Sequence, residues 1–408
     1  MNIWILNHYA FTPDTPGGTR HFDFSLELLK RGYEVTIFAS SFHHNLLKET
    51  KNYTSSDFCI ENYSGVKFVW VKTFLYSCNN WRRVVNMLSY SFRVHKISTK
   101  LVGTELSKPD IIIGSSVHLF GVFTAYLLSK KFKAPFIMEV RDLWPETLIC
   151  MGVPRWHPFV ILLGILERFL YKKADKIITL LPKANDYIEK FGVDKDKIVW
   201  IPNGVDVNRF ERSILNVERK KSTKFVAMYA GSIGKANNIP LVIEAAEILQ
   251  DSFPQIKFLI IGDGAERKRM ERLVEAKGLK NIEFQPATSK DNIPELLLSS
   301  DALLLLVKDS PLYKYGVSFN KLYDYMYSGK PVIFSSNSIN NPVKEANAGI
   351  TVSPEDPKEF AEAIVKIYRM SGCERLEMGK RGKEYVAKFH AIPVLVDKLE
   401  MVIKEVMK

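Results

Sequence analysis

Short unbroken apolar runs recur along the chain, separated by stretches whose apolar positions repeat at three and four residues. The first half predicts strands at 2–6, 34–38, 110–113, 136–140 and 176–180, with a helix from 19 to 30 ended at Arg31-Gly32. The pattern restarts at 225–230, followed by a helix over 239–250 and strands at 257–261, 281–284, 302–306 and 331–334. Runs that do not alternate with polar residues are covered on both faces, and intervening helices imply parallel strands. The fold class is therefore α/β, with two doubly wound Rossmann-like domains. The domains read as 1–205 and 206–390, with the polar stretch 206–224 as linker. The amphipathic segment 391–408 reads as a helix crossing back onto the first domain. Two such sheets leave a cleft between their carboxyl strand ends, where open α/β sheets bind ligands.

The residues with chemistry to offer sit where strands end. Segment 318–332 predicts a short helix stopping at Gly329, with Lys321 and Asp324 three residues apart and on one side. A cation beside a carboxylate near a helix start can hold a phosphate and sugar hydroxyls; an ordinary surface ion pair is the competing reading. Gly17-Gly18 lies between strand and helix, free to turn backbone N–H groups toward an anion, but it lacks the GxGxxG spacing. Gly262-Asp263-Gly264 follows another strand in the same way. Gly231-Ser232-Ile233-Gly234-Lys235 adds a lysine to glycine-freed backbone, a combination suited to a diphosphate. Arg141, Asp142, Trp144 and Glu146 end the strand at 136–140, so they belong to the cleft edge or brace its loop. Residues 201–206 shape the hinge.

Composition narrows the partners. The chain is 46% hydrophobic and 25% charged over 408 residues, enough for two folded cores and not a disordered protein. A net charge of +12 favours anionic partners. The charge is spread out and accompanies no nucleic-acid motif, so nucleic acid is not expected. Four separated cysteines without a CxxC or a histidine at metal-ligand spacing read as reduced thiols of a cytoplasmic protein. The N-terminus reads as a first strand, not a signal peptide, and no apolar run reaches spanning length.

In these motifs the chain resembles a retaining nucleotide-sugar glycosyltransferase of family 4, with the GT-B architecture. Four stretches carry the resemblance, in order: Pro16-Gly17-Gly18, 141–146, Ile201-Pro202-Asn203-Gly204-Val205-Asp206, and 321–326 with Gly329-Lys330-Pro331. The Asp-Leu-Trp-Pro-Glu wording is similar to the N-acetyl-L-fucosamine transferase-like branch, which builds O-antigen, capsule and other surface polysaccharides. The resemblance implies a nucleotide-sugar donor and a glycan acceptor, polyprenyl-diphosphate-linked in this branch. It places Asp324 on the donor ribose. The family's first glutamate, eight residues earlier, is Gly316 here, so backbone of Gly316, Val317 and Ser318 is expected to meet the sugar. Arg141 stands where many members have histidine. Ser232 stands near the usual arginine, Lys235 can serve as the lysine, and Lys321 is the second cation. Main chain around Pro286 is expected to face the base.

The implied chemistry uses Lys235, Lys321 and glycine-loop N–H groups to stabilise the departing diphosphate. Asp142 orients the acceptor hydroxyl. Front-face substitution is the expected retaining route, because no nucleophile for a two-step route stands out. No cofactor is expected, and no Asp-x-Asp constellation marks a metal site. Segments 81–101 and 156–171 suit either an anionic membrane surface on the inner face of the cytoplasmic membrane or burial in the first domain. Two alternatives remain: a GT-B sugar-nucleotide epimerase or hydrolase, and a non-catalytic nucleotide-sugar-binding protein.

Overall fold

Unbroken apolar strands need cover on both faces, and the computed structural model supplies it twice. The structure describes all residues except 45, 54–55, 79, 117 and 215–223. Among the described residues, the first sheet runs Ile198–Trp200, Lys176–Thr179, Phe136–Val140, Ile111–Ser115, Asn2–Leu6, Glu34–Ser40, Val66–Val71, Phe58–Tyr63. All neighbours are parallel except the last pair. The second sheet is wholly parallel, in the order Ile282–Gln285, Ile256–Ile261, Phe225–Ala230, Ala302–Leu306, Val332–Ser335, Gly349–Val352. Side chains alternate to two cores per sheet. Trp4 and Leu6 enter one core of the first sheet, and Ile3 and Ile5 the other. In the second sheet Ala227 and Tyr229 oppose Met228 and Ala230.

Strand order reverses between Asn2–Leu6 and Ile111–Ser115 in the first sheet, and between Phe225–Ala230 and Ala302–Leu306 in the second. Such reversals open a crevice at the carboxyl strand ends. The loops following Asn2–Leu6 and Phe225–Ala230 enter that crevice from opposite sides.

The chain crosses between domains twice. Helix Ile392–Val406 buries Ile392, Leu395, Val396, Leu399, Val402 and Ile403 in the first domain's core with Phe22 and Leu28. Arg31 ties it further, 2.7 Å from Asp397 and 3.0 Å from Glu400. The other crossing corrects the linker reading. Residues after Asp206 form helix Val207–Ile214, whose Phe210 packs 5.2 Å from the Tyr327 ring. The rest of the expected linker, 215–223, lies outside the described residues. The hairpin Phe58–Tyr63/Val66–Val71 is an addition to the strand–helix alternation. Its two-residue turn places Ser64 at φ 53° and Gly65 at φ 94°, the left-handed pair that matches strand twist.

Candidate active site

Helix Asn320–Tyr327 is the centre of the site because its buried side holds it rigidly. Leu322, Tyr323, Tyr325 and Met326 are buried. The Tyr325 hydroxyl donates to the Ala230 carbonyl at 2.9 Å and accepts from the Ala230 N–H at 2.7 Å. This pins the helix to the end of strand Phe225–Ala230. Lys321 and Asp324 then face a cavity of about 460 Å³ between the domains.

The two residues do not pair with each other. Lys321 Nζ donates to the Tyr229 hydroxyl and to Asn237 Oδ1, both at 2.8 Å, and lies 4.5 Å from the Tyr229 ring centre. An ammonium has three N–H groups, so one is left for a ligand. Burial pushes this ammonium down to about 7. Gly231 makes room for it: a Cβ there would stand 3.4 Å from Lys321 Nζ. Asp324 Oδ2 instead pairs with Lys290 Nζ.

The opposite wall comes from the first domain. Gly17 and Gly18 line it, and a Cβ on Gly18 would come within 2.4 Å of Asn320 Nδ2. Glycine there permits the first-domain loop to touch the second domain's helix start. Arg141 and Asp142 complete this side. Asp142 is exposed on the cavity wall, where desolvation by the surrounding protein raises its carboxyl pKa against the opposing pull of Arg141. Tyr9, Phe11, His43 and His44 add an aromatic stretch, with Tyr9–His44 and Phe11–His43 ring centres 4.4 and 4.6 Å apart. His43 Nδ1 accepts from the Leu46 N–H at 3.2 Å, so Nε2 carries the hydrogen and donates to the Pro16 carbonyl at 2.9 Å. His44 is held neutral, pushed down to about 3 by burial and by His43, Arg83 and Arg141.

Behind this wall a buried group fixes its base. Asn7 Nδ2 donates to His21 Nδ1 at 2.8 Å, so His21 Nε2 donates to Glu139 Oε2 at 2.7 Å. Arg20 Nε reaches Glu139 Oε1 at 2.8 Å, and Ser115 Oγ donates to Oε2 at 2.7 Å. Although burial opposes its charge, His21 and Arg20 hold the Glu139 carboxyl well below the usual carboxylate range. Arg20 also donates to the Pro202 and Ile201 carbonyls, tying this group to the hinge.

Of the residues singled out in the sequence, the cavity gathers Gly17, Gly18, Arg141, Asp142, Gly231, Ser232, Gly262, Ser318, Lys321 and Asp324. The others stand elsewhere. Lys235 is exposed on the short turn Lys235–Asn237, and Asn237 faces the cavity instead. Gly264, at φ 155°, serves loop packing: a Cβ would meet the Ile233 carbonyl at 2.4 Å. Pro286 is off the wall, while Ala287 and Thr288 are on it. Gly316, at φ 96°, packs on Pro182, and a glutamate there would collide with it. Val317 is buried, its N–H and carbonyl both bonded to Asn340 at 2.7 and 3.0 Å. Trp144 packs against the first domain's core, and Glu146 lies in a separate depression beside Arg155.

Tyr9, Phe11, His43, His44, Asn203, Asn237, Lys290 and Asn320 were not anticipated. Tyr9 and Phe11 follow the first strand closely enough for the strand-end rule to find them. Asn203 and Asn320 lie in stretches already singled out, 201–206 as the hinge and 318–332 as the helix segment, while His43, His44, Asn237 and Lys290 carry no motif. Among the described residues, no three His, Cys, Asp or Glu side chains are grouped to hold a metal, and no helix is long and apolar enough to cross a membrane.

Two family models cover most of the chain: Glycosyltransferase Family 4 matches residues 17–209, and Glycosyl transferases group 1 matches 210–385. A glycosyl transferase assigned to colanic acid biosynthesis in Escherichia coli K12 is 27% identical over 69% of this chain and 70% of its own. An Escherichia coli UDP-Gal:alpha-D-GlcNAc-diphosphoundecaprenol alpha-1,3-galactosyltransferase is 26% identical over 50% of this chain and 53% of its own. Among solved structures, sucrose-phosphate synthase from Thermosynechococcus elongatus superposes with a TM-score of 0.75 at 17% identity, covering 99% of this chain and 98% of that one.

Proposed function

Because the chain belongs to glycosyltransferase family 4, has the GT-B fold and is a glycosyltransferase, we propose that it moves a sugar with retention from a nucleotide-diphosphate donor to a lipid-linked glycan. The product belongs to surface-polysaccharide assembly. One observation carries the donor half: Lys321 and Asp324 stand together on one wall of the interdomain cavity, each held by its own partner. A fixed cation suits the diphosphate, and a fixed carboxylate suits the ribose hydroxyls.

As the glycosidic bond breaks, negative charge grows on the leaving diphosphate. The spare N–H of Lys321 and backbone N–H groups of Gly17 and Gly18 stabilise it without reorganising. Asp142, across the cavity, orients the acceptor hydroxyl, and the rings of Tyr9, Phe11 and His44 offer flat apolar faces to a sugar. The diphosphoundecaprenol-linked sugar in the galactosyltransferase's name supports a lipid diphosphate acceptor. So does the exposed apolar surface around Trp156, Ile161 and Ile165, bordered by Arg155, Lys172 and Lys173.

NMR of the first-formed product from an α-linked donor tests the reaction. An α-glycoside is expected; a β-glycoside would overturn retention, and free sugar without glycoside would overturn transfer.

A further inference from the structure

The cavity carboxylate is held by a turn that also clasps the two domains. Lys290 Nζ bonds Asp324 Oδ2, with side chains only 11% and 7% exposed. This takes one carboxylate oxygen and leaves Oδ1 for a ligand hydroxyl. The next residue, Asp291, lies 3.1 Å from Arg209 Nε, and its backbone N–H donates to the Pro13 carbonyl of the first domain at 3.3 Å. Arg209 reaches on to Asp23, on first-domain helix Arg20–Lys30, at 2.7 Å. The turn Lys290–Asn292 therefore touches the cavity carboxylate with one residue and the interdomain clasp with the next.

We propose that Lys290 is a positioning residue for donor binding, fixing Asp324 with Oδ1 toward the cavity, and that Asp291 makes this grip depend on the Arg209–Asp23 clasp. A buried carboxylate without its cation would turn toward other donors or draw in water, and either change costs ribose contact. Because Lys290 and Asp291 are adjacent on one short turn, moving one moves the other. Loosening the domain clasp then weakens the nucleotide site without touching the ligand. The proposal rests on the donor reading of Asp324 given above.

Titration calorimetry of the full chain with UDP, GDP and dTDP tests it. For whichever nucleotide binds best, Lys290→Met is expected to weaken affinity about tenfold and Lys290→Arg to restore it to within about threefold. Asp291→Asn, a near-isosteric change at a side chain 54% exposed, is expected to weaken affinity about threefold. Arg209→Met is expected to matter less in the Lys290→Met background than alone, because the two act along one path. Wild-type affinity in both Lys290→Met and Asp291→Asn overturns the proposal, even if their melting temperatures fall. If the wild type binds none of the three nucleotides, the donor reading fails and takes this proposal with it.

Discussion

The backbone N–H of Asn203 donates to Ser318 Oγ at 2.8 Å, and the Asn203 side-chain amide donates to the Ser318 carbonyl. One first-domain residue thereby holds the loop that leads into helix Asn320–Tyr327, which carries Lys321 and Asp324. Asn203 is buried, so removing its amide leaves the Ser318 carbonyl without a donor. Asn203→Ala should cost about 1–3 kcal/mol in urea denaturation and raise the donor KM together with it. Unchanged stability with an unchanged KM would separate this bridge from the site.

Glu139 joins Arg20, His21 and Ser115 in a group closed to solvent. Glu139→Gln strands the Arg20 charge and should cost about 3–5 kcal/mol. The carboxyl's folded pKa lies below its ordinary value of 4.5. Its stabilising contribution is therefore present above about pH 4.5 and is lost as pH falls through the folded value. Denaturation of the variant across pH 3–7 should show a flatter acid slope than the wild type; parallel slopes would contradict this.

Lys321 should make donor binding pH-dependent. With its ammonium at about 7 in the free protein, raising pH from 6 to 9 neutralises the diphosphate's cation. Donor Kd should rise above pH 7, approaching tenfold per pH unit, with proton uptake on binding seen by calorimetry in two buffers. Stability of the ligand-free protein moves the other way. An unfolded lysine keeps its proton to about 10.5, so this group's contribution to stability increases as pH rises from about 7 toward 10.5. Lys321→Ala should lower kcat by about 10²-fold or more and abolish the pH trend in Kd. A pH-independent wild-type Kd would refute the assignment.

Exposed Ile161 and Ile165 predict adsorption to anionic vesicles. The wild type should sediment with phosphatidylglycerol vesicles and remain in solution with phosphatidylcholine. The pair Ile161→Glu and Ile165→Glu should stay in solution with both. Equal sedimentation of this double variant would place the contact elsewhere.

The strand–helix alternation made both sheets legible, because parallel strands covered on two faces must be apolar throughout. The hairpin Phe58–Tyr63/Val66–Val71 escaped because no helix separates its two strands: Val66–Val71 joins the sheet parallel to Glu34–Ser40, and Phe58–Tyr63 adds an antiparallel edge outside that alternation. Gly17, Gly18, Gly231, Gly262 and Asp142 were legible as strand-end residues that line the cavity. Lys290, His43 and His44 were not, since their places depend on contacts such as Lys290–Asp324 that no local spacing encodes. Lys235 was misplaced for a related reason: the turn after Gly234 exposes it and brings Asn237 to Lys321. Gly316 was legible as a departure from the family pattern, but its cause, contact with Pro182 across the domain boundary, was not.

The central claim is that Lys321 and Asp324 bind a nucleotide-sugar. A thermal-shift screen of the wild type, Lys321→Ala and Asp324→Ala across UDP-, GDP- and dTDP-sugars tests it most directly. One base series should raise the wild-type melting temperature, with the shift lost in both variants. No shift with any donor, or a full shift retained in both variants, would contradict the claim.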